Sequence, residues 1–204
     1  APTRGVTWGR DGVILVSIDS AIHRVSAAGG TLTPVLAPEK DRYSWHGWPF
    51  FLADGRRFLF TSEMREGGEN VPVVQVADLA TPASARVVLK RAMLVGLADG
   101  HVVYGTPEGR LEAIPVDPAS LERVGEPRVL VQQVSNDTRT GSVAASVVEG
   151  GALAYRLGRD PQSEFVWMDR SGRRLGRLGD PGPWHNFDLS PDGARVIAAI
   201  RWRG

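Results

Sequence analysis

Five times along the chain a short apolar segment runs into an acidic or glycine-rich turn and out into a second apolar segment: TWGRDGVILVS, FFLADGRRFLF, GLADGHVVYG, SVVEGGALAYR and DLSPDGARVIAAI. The glycines that precede each second segment are Gly12, Gly55, Gly100, Gly151 and Gly193, at intervals of 43, 45, 51 and 42 residues. A recurring period constrains the fold more than any single motif, because each repeat is one supersecondary unit that buries its apolar faces only against its neighbours. Asp-Gly is a strong signal for a two-residue hairpin, since a type I′ turn needs φ > 0 at both central positions. Asp11-Gly12, Asp54-Gly55, Asp99-Gly100 and Asp192-Gly193 are therefore expected as structural turns, and Gly151 closes a degenerate one.

Each repeat resolves into short β-rich runs bounded by turn residues. The first holds Val6 and Trp8, then Val13 to Ile18, Ile22 to Val25 and Leu32 to Leu36. The second runs through Trp48 to Leu52, Arg57 to Phe60, Val71 to Val76 and Arg86 to Leu89, and the third through Met93 to Leu97, His101 to Tyr104, Leu111 to Val116 and Arg128 to Val131. The fourth has Val143 to Val147, Ala152 to Tyr155, Phe165 to Met168 and Arg174 to Leu178; the fifth supplies Phe187 to Leu189 and Val196 to Ile200. No helix competes, because the best candidate, Pro118 to Arg123, is short and lies between prolines.

The expected fold class is all-β: a β-propeller of four-stranded antiparallel blades. The blades are placed at about 1–37, 43–90, 91–134 and 140–180, with a half blade at 184–204. Four and a half blades form an incomplete arc of a larger ring, expected to hold six or more. Both ends of such an arc leave an apolar blade face uncovered, which favours association.

Composition removes other classes. The 204 residues carry 24 basic and 23 acidic side chains, so no electrostatic footprint for nucleic acid exists. Without Cys there is no disulfide framework, thiol nucleophile or Cys-ligated zinc. The longest apolar stretches, Val13 to Ile18 and Trp48 to Ala53, fall far short of the roughly 20 residues of a membrane helix. The chain opens Ala-Pro-Thr-Arg with neither an initiator Met nor a signal segment, and is read as a piece of something longer.

The PDG of LSPDGARVIAAI, preceded by a short apolar strand, resembles the repeat signature of TolB-like propellers, found also in the propeller domains of prolyl oligopeptidases and dipeptidyl peptidases. Nearly the whole chain, through HRVSAAGGTLTPVL, WPFFLADGRRFLF, PVDPASLERVGEPRVLV and ALAYRLG followed by FVWMDRSGRRLGRLG, is similar to the C-terminal propeller of bacterial serine/threonine protein kinases. In that family a kinase domain and a membrane segment precede the propeller. The resemblance implies a non-catalytic sensing or interaction module on the extracytoplasmic, periplasmic side. Glu149-Gly150-Gly151 departs from the Asp-containing turn, and Leu97-Ala98-Asp99 lacks the Ser-Pro lead. No kinase motif is present, so no phosphoryl-transfer residue carries over.

Candidate chemistry is sparse. His23, His46, His101 and His185 show no H-x-x-x-H spacing, and no calcium loop, G-x-S-x-G elbow or phosphate loop occurs. No catalytic residue, metal ligand or cofactor is assigned. The Arg-rich hairpins at Arg56-Arg57 and at Arg170, Arg173, Arg174 and Arg177 read as solvated surface, and Asn136-Asp137-Thr138 as a loop sequon. One echo stands out: Trp45-His46-Gly47-Trp48 and Trp184-His185-Asn186-Phe187 both enter the innermost strand of a blade. Trp45, His46, Trp48, Trp184 and His185 are thus candidates for a ligand-binding surface at the channel rim, against the alternative that the Trp residues pack between blades and the His residues cap backbone.

The expected function is a ligand- or protein-binding propeller with a protein, peptide or small-ligand partner at the rim, the remaining blades of the same ring beside it, no nucleic acid and no membrane insertion by this segment. The alternatives are a propeller gating the active site of a prolyl-oligopeptidase-like serine peptidase, or a TolB-like scaffold.

Overall fold

The computed structural model describes residues 3–148, 150–157, 163–182, 184–190, 193 and 196–200, with backbone alone for 163, 185, 186 and 198–200. Period-two patterning yields strands throughout, and no helix occurs among the described residues.

Blade one comprises β1 (Thr3–Trp8), β2 (Val13–Ile18), β3 (Ala21–Ser26) and β4 (Thr33–Leu36). Blade two is longer: β5 (Tyr43–Phe51), β6 (Arg57–Glu66), β7 (Glu69–Asp78) and β8 (Thr81–Lys90). Blade three is β9 (Met93–Ala98), β10 (His101–Gly105), β11 (Leu111–Pro115) and β12 (Arg128–Val131). Each is a four-stranded sheet with strands paired in chain order. The short strands β13 (Asn136–Asp137) and β14 (Ser142–Val143) then pair with each other.

Among the described residues the fourth repeat is paired differently from the first three. Its strands pair as two hairpins, β15 (Ala145–Val147) with β16 (Leu153–Tyr155), and β17 (Ser163–Met168) with β18 (Arg174–Gly182). Ala144, expected inside the first of these strands, still accepts from Arg156 N–H across that pair but donates its own N–H to Ser135 O, so the ladder is half-formed there. The half blade is the hairpin of β19 (Trp184–Leu189) and β20 (Val196–Ile200).

The chain divides into two compact units. The first is Ala1–Leu94 with Asp137–Ser142; the second is Val95–Asn136 with Val143–Gly204. In the first unit, blades one and two meet along a seam of Leu15 and Ile22 against Phe51, Phe58, Phe60 and Ala77. Phe58, Phe60, Leu15 and Ile22 are wholly buried there. Burying each such side chain is worth about 1.5–3 kcal/mol, which makes the seam a principal stabilising element of that unit. In the second unit a separate core gathers Val103, Leu111, Val131, Val134 and Val147.

The turns correct one expectation. Of the Asp-Gly pairs among the described residues, only Asp99-Gly100 places both residues at positive φ, at 46° and 72°, as a two-residue type I′ turn requires. At Asp11-Gly12, Gly9 N–H bonds Val13 O and Gly12 N–H bonds Gly9 O, so the loop has three residues and Gly12 alone, at φ 71°, is left-handed. The same hydrogen bonds recur at Val148 to Ala152, where Gly150 and Gly151 are both left-handed, and in a longer loop at Leu52 to Arg57 with Gly55. The extra residue releases Asp from the strained position. Asp54 Oδ1 instead accepts the N–H groups of Arg56 and Arg57, an Asx-type turn. Asp192 lies outside the described residues, whereas Gly193 has φ 66°. A true type I′ turn that carries no glycine, Asp19-Ser20, joins β2 to β3.

Candidate ligand-binding site

In the first unit the site grows from a bulge in β5. Gly47 pairs with Thr61 and Phe50 with Leu59, so Trp48 and Pro49 oppose Phe60 alone. Pro49 has no N–H to give the ladder, and Trp48 is driven to φ 55°, a conformation rare for a bulky side chain. The indole compensates: Trp48 Nε1 donates to Thr140 O at 2.7 Å. Trp48 stays half-buried, as does Arg4, whose guanidinium carbon sits 4.8 Å from the centroid of the Trp45 ring. This cation–π contact is the partner of Arg4, since its Nε and Nη1 are buried without a hydrogen bond among the described residues.

Three glycines make the approach possible. A Cβ on Gly5 would stand 2.9 Å from Trp48 Cα, one on Gly47 2.7 Å from Arg4 Cβ, and a Cβ on Gly141 would clash with the Trp45 ring edge. The result is a half-buried Trp48 on β5, while the guanidinium of Arg4 on β1 covers the interior Trp45 ring.

His46 is placed differently from the expected rim position. It is only 3% exposed, between the Tyr43 and Phe60 rings at 5.3 and 5.1 Å. The reason is its register: His46 pairs with Ser62, on the face of blade two that meets blade one. There it takes part in a polar stitch across the seam. Ser17 Oγ donates to His46 O at 2.7 Å, Gln75 Nε2 donates to Ser62 Oγ at 2.8 Å, and Ser62 Oγ meets His46 Nδ1 at 2.7 Å. Burial pushes the His46 pKa down to about 4, with a backbone bond at Trp45 opposing, so the imidazole is neutral at pH 7. A serine beside a neutral histidine has the form of a nucleophile and its base, but Ser62 is wholly buried and, among the described residues, no carboxylate is bonded to the ring. Trp45 is likewise interior, 4% exposed.

In the second unit, Trp184 is half-buried and bounds a cleft of about 220 Å³, open mouth included, with Tyr155, Arg156, Glu164, Phe165 and Phe187. Its ring lies 5.5 Å from that of Phe165, which meets Phe187 edge-on at 5.0 Å. Arg156 is committed, donating from Nη1 to Trp184 O at 2.9 Å and from Nη2 to Ser135 Oγ at 2.6 Å. The backbone of His185 belongs to β19, and its side chain lies outside the described residues.

Elsewhere in that unit Tyr104 donates to Glu112 Oε2 at 2.8 Å, and burial, aided by Glu112, pushes the phenol pKa up. Arg170 clasps two turns, donating to Gly150 O and pairing with Asp99 at 3.1 Å. Among the described residues, no group of three His, Asp or Glu gathers to hold a metal. Sequence reasoning missed Arg4, Thr140 and Gly141; Gly47, inside the Trp-His-Gly-Trp string, was the signal available for the close approach.

Comparison with known proteins places the architecture. The chain is similar to regucalcin, a calcium-binding protein from Agrobacterium tumefaciens, with TM-score 0.64 and 13% identity over 95% of this chain and 66% of that one. The fold is a β-propeller. The Cps50 (Swd1) β-propeller domain of Myceliophthora thermophila gives TM-score 0.55 at 12% identity, covering 98% of this chain and 68% of that one. Prolyl oligopeptidase B of Galerina marginata gives 0.54 at 13%, covering 86% and 26%. The chain thus spans just under two thirds of the regucalcin chain. No family model and no curated protein matches the sequence.

Proposed function

We propose that this propeller is a non-catalytic binding module, the extracytoplasmic sensing or interaction domain of a bacterial receptor-like serine/threonine kinase. The observation that carries the binding reading is the half-buried Trp48, held in a left-handed bulge of β5. Backbone strain of this kind, worth about 1–3 kcal/mol, concentrates at binding sites. The polar groups with catalytic potential support the same reading, because His46, Ser62, Tyr104 and Glu112 are buried and bonded to one another within blades. The kinase assignment rests on the strings that resemble kinase-linked propellers.

The test has two parts. The reading expects H-R-D and D-F-G motifs and a membrane segment upstream in the complete gene. It also expects that peptides or metabolites which raise the melting temperature in a ligand screen no longer do so with Trp48→Ala. A downstream G-x-S-x-G module would overturn the kinase assignment in favour of the second reading, a propeller gating a prolyl-oligopeptidase-like active site. The likeness to prolyl oligopeptidase B supports that alternative.

A further inference from the structure

The cleft beside Trp184, all of it within the second unit, is built on a fixed framework. Trp184 is tied at both ring and backbone: its indole Nε1 donates to Asp180 O at 3.3 Å, and its carbonyl accepts from Arg156 Nη1 at 2.9 Å. The Phe165 ring leans on the indole at a centroid distance of 5.5 Å and meets Phe187 edge-on at 5.0 Å, so the three rings brace one another. Tyr155, on β16, completes the wall. Side chains held in this way lose little freedom when a ligand settles against them.

Charge decides what settles there. Arg156 spends Nη1 on Trp184 O and Nη2 on Ser135 Oγ. Glu164 is paired through both carboxylate oxygens, one with Arg174 Nη1 at 3.0 Å and the other with Nη2 at 3.2 Å. A cationic ligand would compete with Arg174 for that carboxylate and meet the charge of Arg156, while an anionic ligand would meet Glu164 itself. A neutral ligand meets neither obstacle. The paired carboxylate keeps lone pairs that hydroxyl groups can use, and the two side chains, 38% and 53% exposed, can exchange bound water for a hydroxyl. The space, about 220 Å³ with its open mouth included, is shallow and receives one face of a single ring. The ligand that fits is neutral, apolar on one face and hydroxylated at its edge, which describes a pyranose sugar.

We propose that the cleft bounded by Tyr155, Phe165, Trp184 and Phe187 is a saccharide-binding site, in which one pyranose lays its C–H face on the rings and turns edge hydroxyls to the Glu164–Arg174 pair. The weakly positive C–H bonds meet the negative faces of the aromatic rings. The proposal rests on the reading of this chain as a binding module but not on Trp48.

The test is saturation-transfer NMR on the complete polypeptide of the gene. The probes are the methyl β-glycosides of glucose, galactose, mannose and N-acetylglucosamine, with indole and tetramethylammonium to represent a flat aromatic and a cationic ligand. About a dozen heavy atoms on a shallow site give a Kd in about the millimolar range, which the method reads. The proposal expects at least one glycoside to bind, with saturation strongest on the protons of one C–H face. Trp184→Ala is expected to weaken that binding at least about tenfold and Glu164→Gln at least about threefold. Glu164→Gln preserves size at a solvated position, so it reports on the contact even if loss of the indole unfolds the hairpin. No binding of any glycoside at about 50 mM, well above the expected Kd, overturns the proposal. Binding that survives both substitutions overturns it too, as does binding of indole or tetramethylammonium where no glycoside binds. Glycoside binding lost in Trp48→Ala and kept in Trp184→Ala overturns it while leaving the binding-module reading in place.

Discussion

Trp45-His46-Gly47-Trp48 and Trp184-His185-Asn186-Phe187 read alike in sequence and fold into different surroundings. Trp45 is interior, covered by the Arg4 guanidinium and by a backbone stretch at Gly141 that admits no side chain. Trp184 stays half-buried against Phe165, at the edge of an open cleft. The difference lies less in the tryptophans than in their neighbours. Gly5, Gly47 and Gly141 allow backbone and long side chains to close over the first string, whereas Asn186 holds the place of Gly47 in the second. A repeated motif marks a repeated strand, and the small residues around it set its burial.

The comparison breaks most sharply at the tryptophans themselves. Trp45→Ala is expected to cost about 3–5 kcal/mol in denaturant unfolding, since it empties an enclosed site, and Trp184→Ala clearly less. Equal losses would mean that the two rings are equally buried in solution. Gly141→Ala is next, at about 2–4 kcal/mol, because it combines a clash with the Trp45 ring and a left-handed φ of 71°. Gly182→Ala, whose Cβ would meet the Trp184 ring at 3.0 Å with no positive φ, is expected to fall well below it.

The buried His46 sharpens the contrast through pH. Its folded-state pKa of about 4 lies below the ordinary 6.5 of the unfolded chain. The unfolded state therefore takes up a proton first as pH falls. The stability contributed by the neutral ring is complete above pH 6.5 and is lost on descending to pH 4, a decline of about 3 kcal/mol at most. His46→Gln should flatten that slope in urea titrations at stepped pH; an unchanged slope would place the titrating group elsewhere. Smallest is Arg174→Ala, which removes an exposed 3.0 Å pair with Glu164 and should shift stability by less than about 0.5 kcal/mol.

Much of the architecture was readable before any coordinates. The strands of blades one and three match their sequence-derived positions within about two residues, because period-two apolar patterning and glycine turns are local signals. Strands of blade two extend beyond their apolar centres: β6 and β7 continue through Glu63 to Asn70 as a paired ribbon that hydrophobicity does not mark. The turn type was misread because Asp-Gly is compatible with two-residue and three-residue loops alike, and the count depends on where the ladder closes. Of the candidate site residues, Trp48 is exposed enough to contact a ligand, whereas Trp45 and His46 are both interior, one on each face of β5.

Repeat period, strand succession and the class of fold follow from the sequence, since each depends on interactions within about 45 residues. Which side of a blade is sealed, which tryptophan is buried, and which histidine is neutral depend on atoms brought together from distant segments. Trp48 meets Thr140 across 92 positions, and Ser17 meets His46 across 29. Burial and pKa are set by all the neighbours that displace water, and those neighbours are assembled only when blades pack.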